Sequence, residues 1–109
     1  MQLTIEHIEA ELAGEGQPPR QLADYRVFLA AVYSRLGSEM QSILAIKPGV
    51  WMAYRDTVKS DKSADRMWQA TDEGRRETQI KWELKRIDKL SAAIASKLRV
   101  MEGEARNQY

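Results

Sequence analysis

From Ile80 to Ala105 the chain reads IKWELKRIDKLSAAIASKLRVMEGEA. Within it Ile80, Leu84, Ile87, Ser91, Ile94, Leu98, Met101 and Ala105 follow one another at alternating steps of four and three. Such a run is a heptad seam on one long helix, and it fixes the class of the protein as all-α. A seam of this length must be covered. A small chain buries proportionally little of its surface, so self-association through Ile80, Leu84, Ile87, Ile94, Leu98 and Met101 is the expected answer. The alternative is four helices packed within one chain. Between Asp65 and Thr78 the pattern weakens, and Gly74 is a candidate kink.

Upstream of the seam the helical spacing continues. Thr4 is a candidate N-cap, with Leu3 and Ile8 placed as a hydrophobic staple around it. Ile5, Ile8 and Leu12 share a face, and Gly14-Glu15-Gly16-Gln17-Pro18-Pro19 ends this short helix. Pro19 can open the next helix at its first turn. Leu22, Tyr25, Leu29, Val32, Leu36, Ile43 and Ile46 then recur at threes and fours, failing only at Glu39, while Phe28, Tyr33 and Met40 widen the stripe. Lys47-Pro48-Gly49 is expected to break this helix, with a further short helix carrying Val50 or Trp51, Tyr54 and Val58. Ser60-Asp61-Lys62-Ser63 is a polar break with several capping candidates. The expected organisation is a single helical domain. It comprises an acidic helix and linker over 1–19, a helix, break and short helix over 20–62, and a long C-terminal helix over 63–109.

The composition of the 109 residues narrows the functional classes. Cysteine is absent, which removes disulfides, thiolate nucleophiles and cysteine-based metal sites. A single histidine, His7, excludes a multi-histidine metal centre. His7 and Glu11 stand at i, i+4, a spacing able to hold a metal, but two ligands without a third read more simply as surface residues. No glycine-rich phosphate loop follows a strand. The charge-free run Met40 to Ile46 is far short of the roughly 18 apolar residues of a membrane span. The opening Met1–Glu6 has neither a basic nor an apolar stretch, so no signal peptide is expected. The expectation is a cytoplasmic protein that is not an enzyme and has no cofactor, metal or membrane partner.

The net charge of +1 conceals a strong division. Residues 1–24 hold five acids and one base, whereas 75–99 hold eight bases and three acids. A basic stretch of this kind suits polyphosphate, an acidic protein surface, or the acidic start of a neighbouring copy. Two basic-aromatic sets stand out. On the last helix Arg75, Gln79, Trp82, Arg86 and Lys89 advance by fours and threes opposite the seam, flanked by Lys85. Around the central break lie Lys47, Arg55, Lys59, Lys62 and Arg66, with Trp51 and Tyr54 among them. Aromatic rings beside cations suit single-stranded nucleic acid, the rings stacking on bases and the cations holding phosphates. A solvated helix face on which Trp82 packs against another helix is the alternative. Neither set accompanies a helix-turn-helix or finger motif, so no sequence readout is expected.

The order of parts resembles the small recombination mediators of T-even-type phages. The segment Leu3 to Leu12 is similar to their short Leu- and Glu-rich start, and Tyr33-Ser34-Arg35-Leu36 to a Tyr-Ser-basic-Leu stretch in the helix that follows. Lys62-Ser63, Asp72-Glu73 and the long helix from Ile80 match in order and spacing. The chain departs from the pattern in being shorter, in carrying Pro48-Gly49, in its more basic last helix, and in keeping the family's middle basic pair only as Arg55 with Lys59 nearby. The resemblance implies a homo-oligomer that binds single-stranded DNA without sequence preference and helps load a recombinase in place of a single-strand-binding protein. The alternative is a small helical phage adaptor or inhibitor acting only through protein contacts. The secreted WxG helical hairpins share length and helicity, but the tryptophan after the central break reads Trp51-Met52-Ala53, with no Trp-x-Gly anywhere.

Overall fold

The computed structural model describes residues 3–107, which form four helices and no strand: α1 (Ile5–Ala13), α2 (Pro19–Arg55), α3 (Asp61–Gln69) and α4 (Asp72–Asn107). No helix among the described residues is long and apolar enough to cross a membrane. The chain divides into two compact units, one of residues 1–33 with 85–109 and one of residues 34–84, and both long helices contribute to each.

In the first unit α1 begins and ends where its capping chemistry dictates. The Thr4 hydroxyl accepts from the His7 N–H at 3.0 Å, and Gly14 closes the helix with its N–H on the Glu11 carbonyl at 3.1 Å. The chain then turns through Gly16, whose φ of 93° lies where L side chains are strained. Gln17, though polar, is buried, because its amide donates back to the Glu11 carbonyl. Ile8 of α1, Leu22, Tyr25, Leu29 and Val32 of α2, and Ile87 and Ile94 of α4 form the core of this unit.

The second unit packs Leu36 and Ile43 of α2, Ala64 and Trp68 of α3, and Ile80 of α4. Here the structure corrects the expected break at Lys47-Pro48-Gly49. The helix passes straight through Pro48 and ends only at Arg55, so Val50, Trp51 and Tyr54 lie on α2 and not on a separate short helix. Proline removes the N–H that would meet the Leu44 carbonyl and crowds that carbonyl, at a cost of about 3 kcal/mol. Both residues face solvent, so water can take the freed carbonyl, while the opposite side of the helix is anchored by Ile43, by Lys47 on Glu77 and by Trp51 on Asp65. Tertiary contacts override a local breaker. The same helix turns Ile46 outward, although it continued the apolar stripe.

The long C-terminal helix expected over 63–109 is likewise two helices. Ser60 caps α3, its hydroxyl accepting from the Ser63 N–H at 3.2 Å. At the next corner the Thr71 hydroxyl donates to the Trp68 carbonyl at 2.6 Å and accepts from the Gly74 N–H at 2.9 Å, which stops α3 and starts α4. Asp72 and Glu73 in the first turn of α4 suit the positive end of its dipole. Gly74 is not a kink but a corner: a Cβ there would lie 1.9 Å from the Trp68 carbonyl oxygen.

At its isoleucines the seam is covered inside one chain. Ile80, Ile87 and Ile94 are at most 2% exposed, which corrects the expectation that they form a surface between copies. Leu84, Leu98 and Met101 are half-buried and Ala105 is exposed.

Gly49 on α2 and Gly74 on α4 give opposite predictions. Gly49→Ala meets open space on a helix, and it should stabilise the protein by about 0.5–1 kcal/mol in denaturant unfolding. Gly74→Ala must displace backbone at the α3–α4 corner, and it should cost roughly 2 kcal/mol or more. Equal effects would refute the corner.

Candidate functional site

Each predicted nucleic-acid contact has a place in the structure, and several are committed to the fold. Lys47 turns inward in the second unit. Its ammonium stands 3.1 Å from both oxygens of Glu77 and 5.6 Å above the Trp68 ring. Arg55 clamps the turn after α2, donating to Asp61 at 2.7 Å and to the Val58 carbonyl at 2.9 Å. Arg75 pairs with Asp72 at 2.5 Å, an exposed pair of the kind that contributes little. Lys59 and Lys62 are exposed and have no ion-pair partner among the described residues, and Arg66 is also exposed. Trp82 is 67% exposed. In the first unit Arg86 pairs with Glu9 and, at 3.4 Å, with Glu6, while Lys89 is exposed. The basic late segment therefore meets the acidic start of its own chain. Lys97 adds to this by donating to the Gly14 carbonyl at 3.2 Å.

Lys47 belongs to a polar node that sequence reasoning missed. Glu77 is 5% exposed and accepts from the Trp68 indole N–H at 2.8 Å as well as from Lys47, with Lys81 at 3.6 Å. Burial alone pushes its carboxyl up, but the Trp68 and Lys47 hydrogen bonds and the Lys47 and Lys81 charges outweigh this and hold it below the usual 4.5. The bidentate Arg76 hydrogen bond likewise holds the Glu39 carboxyl down, against a smaller opposing effect of burial. These are structural carboxylates, each tying one helix to another. His7 stands edge-on to Tyr25 and 3.9 Å from Glu11, and no group of three or more potential metal ligands converges among the described residues.

With Lys47 drawn inward, the outer face of α2 in the second unit has no charge over residues 41–53. Leu44 is 45% exposed, Ile46 47% and Met52 54%, and Gln41, Ala45, Pro48, Gly49 and Ala53 are exposed between them. At 100° per residue these positions cover more than half the helix circumference, over about 18 Å of axis. Leu44, Pro48 and Met52 form one row at i, i+4 and i+8. Ala45, Gly49 and Ala53 form a shallow row beside it. The sequence signal was the charge-free run from Met40. Its significance depended on where Lys47 points, which a sequence does not show.

A depressed folded-state pKa contributes stability above the unfolded value and loses it as pH falls through the folded one. The wild-type protein should therefore lose stability progressively below about pH 4.5. In Glu77→Gln the acid loss should be shallower, from a starting point about 1–3 kcal/mol lower at pH 7. Urea unfolding at pH 7, 5, 4 and 3 measures both. Parallel pH profiles would deny Glu77 its role.

No family model matches this chain, and neither a curated protein nor a solved structure is significantly similar to it.

Proposed function

We propose that this chain is a non-enzymatic helical adaptor that acts through protein contacts and assembles with a second copy of itself through the outer face of α2. The carrying observation is the uncharged face over residues 41–53, from which the one charged residue of the stretch is withdrawn into an ion pair with Glu77. Exposed apolar area of this kind marks association sites. The absence of charge favours a second copy as partner. Like can meet like without repulsion, and a strongly acidic or basic partner would find no complement. The rows of Leu44, Pro48 and Met52 and of Ala45, Gly49 and Ala53 offer the ridge and groove that two crossing helices interdigitate. A two-fold pair uses the same patch twice. A face about 18 Å long on a single helix about 10 Å across covers far less than the roughly 800 Å² per partner of a standard interface, so association is weak and concentration-dependent.

Sedimentation equilibrium over tens to hundreds of micromolar should detect a monomer–dimer equilibrium. Leu44→Glu with Met52→Glu should return the protein to monomer while leaving its thermal transition within a few degrees of wild type. A strictly monomeric wild type sinks the reading.

A second reading keeps the single-stranded DNA mediator, supported by the exposed Lys59, Lys62 and Arg66 around the start of α3 and by the exposed Trp82. Lys47, Arg55 and Arg86, each engaged by a carboxylate, weigh against it. Under this reading Lys59→Glu with Lys62→Glu lowers affinity for every single strand alike and flattens the log-linear salt dependence. If a ~30-nucleotide strand is not retained at low salt, where phosphate attraction is strongest, DNA binding is excluded.

A further inference from the structure

The first unit carries an apolar groove of about 470 Å³ between the start of α2 and the end of α4. Its floor includes Leu98, Met101 and Ala105, the last three seam positions, and Arg26 of α2 and Arg99 of α4 also line it. The seam is sealed at Ile87 and Ile94, then only half covered at Leu98 and Met101. Neither arginine has an ion-pair partner among the described residues, and both are exposed.

We infer that this groove docks an acidic amphipathic helix of a partner protein, a second docking surface distinct from the uncharged face of α2. The unfinished seam supplies the apolar track on which a helix lays residues at i, i+3, i+4 and i+7. Arg26 and Arg99, one on each helix, call for carboxylates at more than one point along the occupant, and guanidinium groups hold carboxylates bidentately. A small amphiphile with one carboxylate has no use for two separate guanidinium groups. The acidic α1 of a second copy is not available as the occupant. Its Ile8 is fully buried in its own core and its Glu6 and Glu9 are engaged by Arg86. Glu102, also lining the groove, sets a place where the occupant carries no acid.

The probe is a fluorescein-labelled peptide of about 14 residues, four helical turns, with leucines at spacings of three and four and glutamates elsewhere. Its anisotropy should rise saturably with wild-type protein and weaken as salt is added. Arg26→Glu with Arg99→Glu should raise the Kd roughly tenfold or more, each factor of ten being 1.4 kcal/mol, with an unchanged circular dichroism melt. The same peptide with lysine in place of glutamate should not bind. Leu44→Glu with Met52→Glu should leave the affinity unaltered, so failure of self-association and failure of this groove are told apart. Equal binding of the lysine peptide, or an unchanged Kd in the arginine variant, would overturn the proposal. So would displacement-resistant binding of dodecanoate in a groove that refuses the glutamate peptide.

Discussion

The second unit depends on the carboxylate of Glu77. One residue of α4 accepts from an indole on α3 and from an ammonium on α2, so three helices meet at a single buried charge. A buried carboxylate without partners is expensive. The packing of Trp68, the inward turn of Lys47 and the position of α4 are therefore mutually required. The node also has an effect at the surface. Because Lys47 answers Glu77, the other side of α2 is left without charge, and the electrostatics of the interior set the chemistry of the exterior.

The first unit resolves its charges differently. The sequence is acidic at its start and basic late, a division that invites a search for an external counterpart. Arg86 with Glu6 and Glu9, and Lys97 with the Gly14 carbonyl and Gln17, close much of that division within the chain. What remains exposed is a few cations, among them Arg26, Lys89 and Arg99, rather than a basic field.

Local signals in the sequence were legible wherever capping or periodicity decided the outcome. Thr4 and Gly14 bound α1 as their chemistry predicts, and the core positions from Leu22 to Ile43 and from Ile80 to Ile94 follow the three-and-four spacing. Pro48 was misread because a helix breaker acts locally, while Ile43, Lys47 and Trp51 hold the helix from elements distant in sequence. The corner at Thr71 and Gly74 was hidden for a similar reason: a missing side chain is significant only once the Trp68 carbonyl lies against it. The candidate site was the least legible part. Lysines and arginines read alike along a chain, and only their partners separate Lys47 and Arg55 from Lys59 and Lys62.

The proline inside α2 has one more consequence. Pro48 has no N–H to offer the carbonyl of Leu44, so the exposed apolar face contains a backbone acceptor that its own helix cannot satisfy. While that face meets water the carbonyl is hydrated at no cost. Any surface that covers it must bring a donor to that point, retain a water molecule there, or leave a buried acceptor unmatched at about 1–3 kcal/mol. A purely aliphatic patch is penalised on contact, whereas a surface with an amide or hydroxyl in register is not. The face thus carries a means of discrimination within an otherwise featureless apolar area. It also carries, in the exposed amide of Gln41, the kind of donor that a matching copy would present.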